Sequence, residues 1–410
     1  MRLLALTHRL PWAPNRGDRI RTYHVLRALA ARHEVHLLSL VHDQQEAAHV
    51  GEVGAWLASV TAVPVPRLRN LVRAAIQLPG TTPLTFALLD SPRIGATLRD
   101  LVATHDPQLV FAVCSSMARL LTDQALASRP SIIDMIDVDS AKWSALADRT
   151  RGPLCWIYAR EARVLARAEA AQMAHALAVT VVNDREANHA RALAPGADIR
   201  VIENGVDVGG FAPQTPPSAG TRVVFCGVMS YAPNAEAAEW LGRNVWPRVR
   251  DRNPTARLAL VGSDPPTALR RLAENDASIV VTGHVPDVKP WLWDSAVAAA
   301  PLHIARGIQN KVLEAVSAGL PCVVSSEVYD GLPEEIRPAC EVADSADHCA
   351  ERIVALLALP PEARRQRART ARLEPLEWPR RLIPMIGLID ELEKTQFDRT
   401  VHACRPTSSS

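Results

Sequence analysis

The stretch GIQNKVLEAVSAGLPCVVSS, Gly307–Ser326, reads as a turn, a short helix and a strand. Gly307 opens the turn, and Gln309, Asn310 and Lys311 enter the helix. Gly319 suits the left-handed position that ends a helix, and Pro321 forbids its continuation. The apolar run of PCVVSS then reads as a strand, so a helix leads directly into a strand. Ala315, Val316 and Ala318 are small or apolar, which predicts one buried helix side. The helix start carries unpaired N–H groups and the positive end of the dipole, a setting suited to phosphate. Lys311 adds a full charge there and Asn310 a donor, while Glu314 lies on nearly the same face as Lys311. The plain alternative is an i,i+3 Lys–Glu pair on a solvated face, but the small residues at 315, 316 and 318 leave little room for one.

The same alternation extends through the chain. Apolar runs at 2–8, 34–41, 108–114, 131–137 and 178–183 read as strands of the first half, with a helix through Ile20, Tyr23, Leu26 and Leu29 between the first two. Runs at 221–228, 257–263, 278–283, 296–302 and 321–326 continue the pattern in the second half. Short, nearly continuous apolar strands separated by helices predict parallel sheets covered on both faces. A chain of 410 residues exceeds what one core supports, so two domains are expected. The Gly-, Pro- and Ser-rich stretch NGVDVGGFAPQTPPSAGTR marks the break between them. The expected fold is α/β, with two facing Rossmann-like doubly wound domains at 1–205 and 206–376. A terminal helix at 377–394 returns to the first domain, and a polar tail at 395–410 frays. In such sheets ligands bind beyond the carboxyl ends of the strands, and two facing domains would share one cleft.

Composition narrows the partners. The net charge is +2 with 48% hydrophobic and 22% charged residues, so no bulk field points to nucleic acid. Seven scattered cysteines without a CxxC pair fit reduced thiols better than a disulfide framework. His189, His284 and His303 lack ligand-spaced partners, so no metal is expected. The N-terminal apolar run is too short for a signal peptide, and no stretch is long enough to span a membrane, which suggests a cytoplasmic protein. One segment qualifies this. PRLRNLVRAAIQLPG (66–80) interleaves Arg67, Arg69 and Arg73 with Leu68, Leu71, Val72 and Ile76, a basic amphipathic pattern that can lie peripherally on a membrane surface. The commoner reading of such a pattern is a surface helix with its apolar face on the core.

Two further strand ends carry chemistry in the second half. FCGVMSYAPN (225–234) runs into Gly227 and offers Asn234, the glycine allowing a ligand close to the backbone. VVTGHVPDVKPWLWD (280–294) places Gly283, His284 and Val285 after a strand, where backbone groups could meet a flat ring. Each also fits an ordinary βα turn. In the first half Asp137 and Asp139 follow the SIIDMI run as candidate acceptor-binding acids, or as caps of the helix beginning near Ser140.

Taken in order, PWAPNRGDRIRTYHVLRAL (11–29), VIENGVDVGGF (201–211) and GIQNKVLEAVSAGLPCVVSS resemble the retaining glycosyltransferases of family 4, the group 1 transferases of GT-B fold. PNRGDRIR, IDMIDVDSAKW (133–143), GVMSYAPN and ARGIQNKVLEA look most like the sugar transferases of exosortase and exopolysaccharide loci. The resemblance covers roughly residues 1–390. It implies transfer from a UDP- or GDP-linked sugar to a glycan or lipid-linked acceptor, with no cofactor and no metal. It matches Glu314 to the acid that binds the donor ribose. Gly307, Ile308, Gln309, Asn310 and Lys311 match the diphosphate and sugar grip, and His284 and Val285 the base pocket. Asn15, Arg16, Gly17 and Asp18 match the acceptor and diphosphate loop, with Asp139 on the acceptor side and Asn204 at the interdomain crossing.

Two departures stand out. Arg306 occupies the place of the family's first glutamate, and a guanidinium cannot accept hydrogen bonds from sugar hydroxyls. It could instead hold phosphate or the carboxylate of a uronic-type sugar. The family's cations after the FCG glycine are replaced by Val228 and Asn234, which leaves Lys311 and Arg306 to supply charge. A catalytically silent nucleotide-sugar binder and a GT-B-type epimerase are the rival readings. The epimerase would need acid/base carboxylates and histidine around the sugar, a cluster the sequence does not show. A dehydrogenase is disfavoured because no GxGxxG follows a strand.

Overall fold

The computed structural model describes residues 1–12, 14, 17–305 and 308–403, with only the backbone described at 17, 18 and 395–403. The chain forms two compact units, Met1–Glu203 together with the segment from Arg381 onward, and Asn204–Arg380. Asn204 therefore belongs to the second unit, two residues before the sequence placed the boundary.

The first unit is built on β1 (Arg2–Thr7), β2 (Glu34–Val41), β3 (Ser59–Pro64), β4 (Leu109–Val113), β5 (Ser131–Ile136), β6 (Ala178–Val181) and β7 (Ile199–Val201). These make one seven-stranded sheet in the order β3-β2-β1-β4-β5-β6-β7, parallel at every pairing. Leu3 to Leu6 and Leu109 to Val113 are almost wholly buried, as strands covered by helices on both faces must be. The order reverses between β1 and β4, which sets the switch point of a doubly wound sheet. β3 and β7 were not expected from the sequence. Both are edge strands, and β3 is only partly covered, so neither presents a continuous apolar run.

A charged group sits inside this apolar unit. Arg21, on the helix Gly17–Ala30, is fully buried and forks onto Asp134 in β5 with bonds of 2.8 and 2.9 Å. Its third nitrogen donates to the Ile202 carbonyl at 2.7 Å, and the Thr180 hydroxyl donates to Asp134 at 2.7 Å. The pair thus ties a helix to β5, β6 and the end of the first unit.

The second unit carries β8 (Arg222–Cys226), β9 (Arg257–Val261), β10 (Ile279–Val281), β11 (Val297–Ala300), β12 (Cys322–Val324) and β13 (Cys340–Val342). Its six-stranded parallel sheet runs β10-β9-β8-β11-β12-β13, the same 3-2-1-4-5-6 order as in the first unit. β13, again an edge, is the strand the sequence did not show. Cys322, Cys340 and Cys349 are buried, Cys114, Cys155 and Cys226 are partly covered, and none of these six is in a disulfide.

The second unit opens and closes at one place. Val206 bridges Glu377 in parallel, and its N–H donates to the Leu376 carbonyl at 2.8 Å. Beside it, a Cβ added to Gly205 would lie 2.6 Å from the Trp378 Cα and 2.7 Å from its N, so only glycine fits. Gly205→Ala is expected to cost about 1–3 kcal/mol or more through forced backbone movement. Thermal denaturation of the variant checks this, and an unchanged midpoint would contradict it.

The terminal helix begins at Ile383, with Pro384 in its first turn, and continues to Ala403. It replaces the expected helix at 377–394, and the segment expected to fray from 395 is helical as far as 403. The return to the first unit is held by polar contacts: Arg32 with Asp390 at 2.9 Å, the Met1 amine with Glu393 at 3.2 Å, and Arg200 with Glu391 at 3.3 Å. Among the described residues no helix is long and apolar enough to cross a membrane.

Candidate functional site

The site of the second unit lies where β8 and β11 part company, because their following loops turn away on opposite sides of the sheet. After β8, the chain passes Gly227 and enters the helix Ala232–Trp240, which carries Asn234. After β11, it enters the helix Asn310–Ser317, which carries Lys311 and Glu314. Lys311 Nζ donates to Asn234 Oδ1 and so joins the two sides of the switch point. The same ammonium stands 5.0 Å above the Phe225 ring, a cation–π contact from β8. Asn234 is itself fixed, donating from Nδ2 to the Val228 carbonyl at 2.9 Å and from its backbone N–H to Tyr231 at 2.9 Å. At the helix mouth, Asn204 donates to Asn310 Oδ1 at 3.2 Å, while the buried Asn310 Nδ2 has no partner among the described residues. The Glu314 carboxylate accepts no hydrogen bond among the described residues.

Enclosure disturbs the ionisation of all three titratable groups here. Burial pulls Lys311 down to about 8, opposed by the charge of Glu314. Burial pushes Glu314 up to about 7, opposed by Lys311. Burial, with Glu314 beside it, pushes the Cys226 thiol up to about 12, so the thiol stays neutral. Both Lys311 and Glu314 keep part of their surface open, so their charged ends are desolvated without being sealed off. A cation and an anion held in a confined place at the mouth of a helix, each with its ionisation shifted by burial, mark this as the candidate site of the second unit.

Residues 220–358 match the family of glycosyl transferases group 1. The matched region spans β8 to β13 and holds Gly227, Asn234, Lys311 and Glu314. No curated protein matches the chain in sequence. Among solved structures, sucrose-phosphate synthase from Thermosynechococcus elongatus aligns with a TM-score of 0.69 at 16% identity, covering 96% of this chain and 100% of that one. The HepE protein of Anabaena, solved in complex with UDP and glucose, aligns at 0.68 and 12% identity over 95% of this chain and 100% of its own. An alpha,alpha-trehalose-phosphate synthase (UDP-forming) from Burkholderia vietnamiensis aligns at 0.65 and 12% identity, over 95% and 100%. At these identities the likeness is one of fold, two Rossmann-like α/β units of the GT-B type.

Within the matched region, backbone packs on backbone at the carboxyl edge. A Cβ on Gly262, after β9, would lie 1.8 Å from the Gly227 carbonyl oxygen, and Gly262 bridges Gly283 after β10. These glycines draw the loops of three strands together. His284, next along, is exposed, and Val285 packs against the core. Both sit at the carboxyl end of β10, which β9 and β8 separate from β11, the strand before the Lys311 helix. Ile308 is buried and Gln309 stands at the N-cap of the Asn310–Ser317 helix without a side-chain capping bond. Phe225 and Cys226 were missed in the sequence, where they read only as strand residues; the Phe immediately before the Cys-Gly step was the available signal.

In the first unit, Asp137 and Asp139 both meet Lys142, at 3.0 and 3.1 Å. Ser115 donates to Asp139 at 3.2 Å, and the backbone N–H of Ser140 donates to Glu169 at 3.3 Å. The helix begins at Asp139 with Val138 as its N-cap and no side-chain cap, so the capping role considered for these acids is not the one observed. Burial, with Asp139 nearby, pushes Glu169 up to about 8. Lys142, Ser115 and Glu169 were not singled out from the sequence, although Lys142 at three residues from Asp139 was visible there.

Asn15, Arg16, Arg306 and Gly307 lie outside the described residues, and of Gly17 and Asp18 only the helical backbone is described. Among the described residues one set of groups is close enough to hold a metal ion: His33, Asp390 and Glu393 in the first unit. Two of its carboxylates already pair with Arg32 and the Met1 amine.

Proposed function

We propose that the protein is a retaining, metal-independent glycosyltransferase that moves a sugar from a nucleotide-sugar donor to a glycan or lipid-linked acceptor, in exopolysaccharide or cell-envelope glycan synthesis. The observation that carries this reading is the Lys311–Asn234 link across the switch point of a group 1 region, with Glu314 unpaired one turn along. In this reading Lys311, Arg306 and the helix-start amides hold the diphosphate. Asn234, standing where the resemblance expects a cation, presents Lys311's charge instead. Glu314 accepts from the ribose hydroxyls, Asn310 donates to the diphosphate or sugar, and Gly227 gives the ligand room. Ile308, Gln309 and Gly307 border the sugar, and His284 and Val285 the base. Asn15, Arg16, Gly17, Asp18, Asp139 and Asn204 border the acceptor and diphosphate, and Asp137 assists the acceptor.

The chemistry asks little else of the protein. The bond from the sugar's anomeric carbon to the diphosphate breaks while the acceptor oxygen bonds that carbon from the same face. The acceptor proton passes to a leaving phosphate oxygen. Charge gathers on the diphosphate, and preorganised positive groups stabilise it. A lipid-linked acceptor would bring the protein to the cytoplasmic membrane surface, with residues 66–80 as its contact.

The two shifted groups give this reading a pH signature. Lys311 is depressed in the fold, so its contribution to stability is present at high pH and is lost as pH falls through about 8. Glu314 is raised, so its contribution is present at low pH and is lost as pH rises through about 7. Between those values both are charged and desolvated, which destabilises the unliganded unit and leaves it ready for an anion. Donor affinity and kcat/KM are expected to peak between about 7 and 8, falling below as Glu314 protonates and above as Lys311 loses its charge. A flat profile across this range would count against the assignment.

Identity of the donor is tested by a thermal-shift and transfer screen of UDP-, GDP- and ADP-sugars. UDP-sugars come first because the HepE neighbour is solved with UDP and with UDP-glucose. No shift with any nucleotide sugar would overturn the reading. A shift without transfer or donor hydrolysis would identify a silent binder.

A further inference from the structure

The helix Arg67–Gln77 in the first unit is built inside out. Leu68, Leu71, Val72 and Ile76 stand 82%, 57%, 61% and 74% exposed, at the i, i+3, i+4, i+8 spacing of one helix face. The buried side is formed by Asn70 and Ala74. Asn70 donates from Nδ2 to the carbonyls of Leu88 at 3.0 Å and Asp90 at 2.8 Å. Polar bonds therefore hold the helix to its unit and turn its apolar side outward, the reverse of the ordinary surface helix expected from the sequence. Arg67 and Arg69 flank that face, exposed and without an acidic partner among the described residues, and the helix contains no acid. Arg73 also points outward but shares Asp90 with Arg119.

A second helix of the unit also exposes apolar residues. Arg160, on Pro153–His175, donates to the carbonyls of Gln77 at 3.1 Å, Gly80 at 2.6 Å and Thr82 at 2.9 Å, which ties that helix to the end of the first. One turn earlier, Trp156 is 66% and Leu154 52% exposed, next to the exposed Arg151.

We propose that this face docks on an anionic lipid bilayer, with Leu68, Leu71, Val72 and Ile76 entering the acyl boundary and Arg67 and Arg69 meeting lipid phosphates. The charge argues for this occupant. A twofold contact with a second copy would set Arg67 and Arg69 against their own kind. A plane of anionic headgroups over acyl chains satisfies arginine and leucine on one flank at once. The inference rests on the first unit alone and stands whether or not the second unit transfers sugar.

The test is co-sedimentation of the full chain with vesicles of phosphatidylglycerol and phosphatidylcholine, and with phosphatidylcholine alone. Binding to the anionic vesicles is expected, weakened about tenfold or more on neutral vesicles and on raising salt from about 50 mM to about 500 mM. Leu68→Ser/Ile76→Ser and Arg67→Gln/Arg69→Gln are each expected to reduce it by about tenfold or more, with the thermal midpoint unchanged. All four side chains are exposed, so these variants keep the fold. Absence of binding to anionic vesicles at low salt overturns the proposal, as does equal binding by the variants. A dimer in light scattering that dissociates in Leu68→Ser/Ile76→Ser, without vesicle binding, overturns it in favour of a second copy.

Discussion

Lys311→Ala is expected to lower turnover by about 10²–10³-fold while leaving the fold intact, the scale on which a lost charge-stabilising donor is felt. The ammonium is the link between the two sides of the switch point, and its removal leaves Asn234 Oδ1 without its donor. Burial already opposes the charge of Lys311 in the unliganded protein, so its loss does not weaken the unit. Thermal denaturation should therefore show a midpoint equal to or above that of the unchanged protein. Glu314→Ala is expected to lower kcat/KM by a similar factor, with its loss falling on donor binding, because Glu314 is offered to the ribose and not to the transferred charge. Kinetics with saturating and limiting donor separate the two, kcat for Lys311 and KM for Glu314. Unchanged turnover in both variants would remove the site assignment. Loss of activity in step with a falling midpoint would make the residues structural.

The largest effect on stability belongs to the first unit. Asp134→Asn leaves the Arg21 guanidinium buried without its countercharge and is expected to cost about 3–5 kcal/mol. That is a large share of the roughly 5–15 kcal/mol that holds a domain folded. In a unit of this size it lowers the midpoint by about 6–20 °C. Replacing both partners by apolar residues, Arg21→Met with Asp134→Leu, is expected to recover most of that loss, because no buried charge remains. Urea denaturation of the two variants checks this. Equal stability of Asp134→Asn and the unchanged protein would show that the pair is not desolvated as its full burial requires.

All ten expected strands exist; nine are interior, where a strand must be apolar on both sides and so writes its presence as a short continuous run, and the tenth, β10, is an edge strand that is apolar in sequence. β3, β7 and β13 were invisible for the opposite reason: an edge strand is made by its neighbour's hydrogen bonds, and its side chains are free to be mixed. The same contrast holds at the site. Lys311, Asn310 and Glu314 were legible because the start of a helix after a strand and a glycine turn is a local feature. That Lys311 reaches Asn234, 77 positions away, was not.

What the sequence by itself determined, then, was the alternation of apolar runs and helices, the two-unit division and the polar mouth of the Asn310–Ser317 helix. Only the tertiary structure decided which polar residues turn inward. Arg21 and Asn70 are buried, whereas Leu68 and Ile76 are exposed. A helix periodicity reports that two faces differ without saying which one meets the core. In the Arg67–Gln77 helix that choice was made by two carbonyls, of Leu88 and Asp90, which take the Asn70 amide and turn the leucines out.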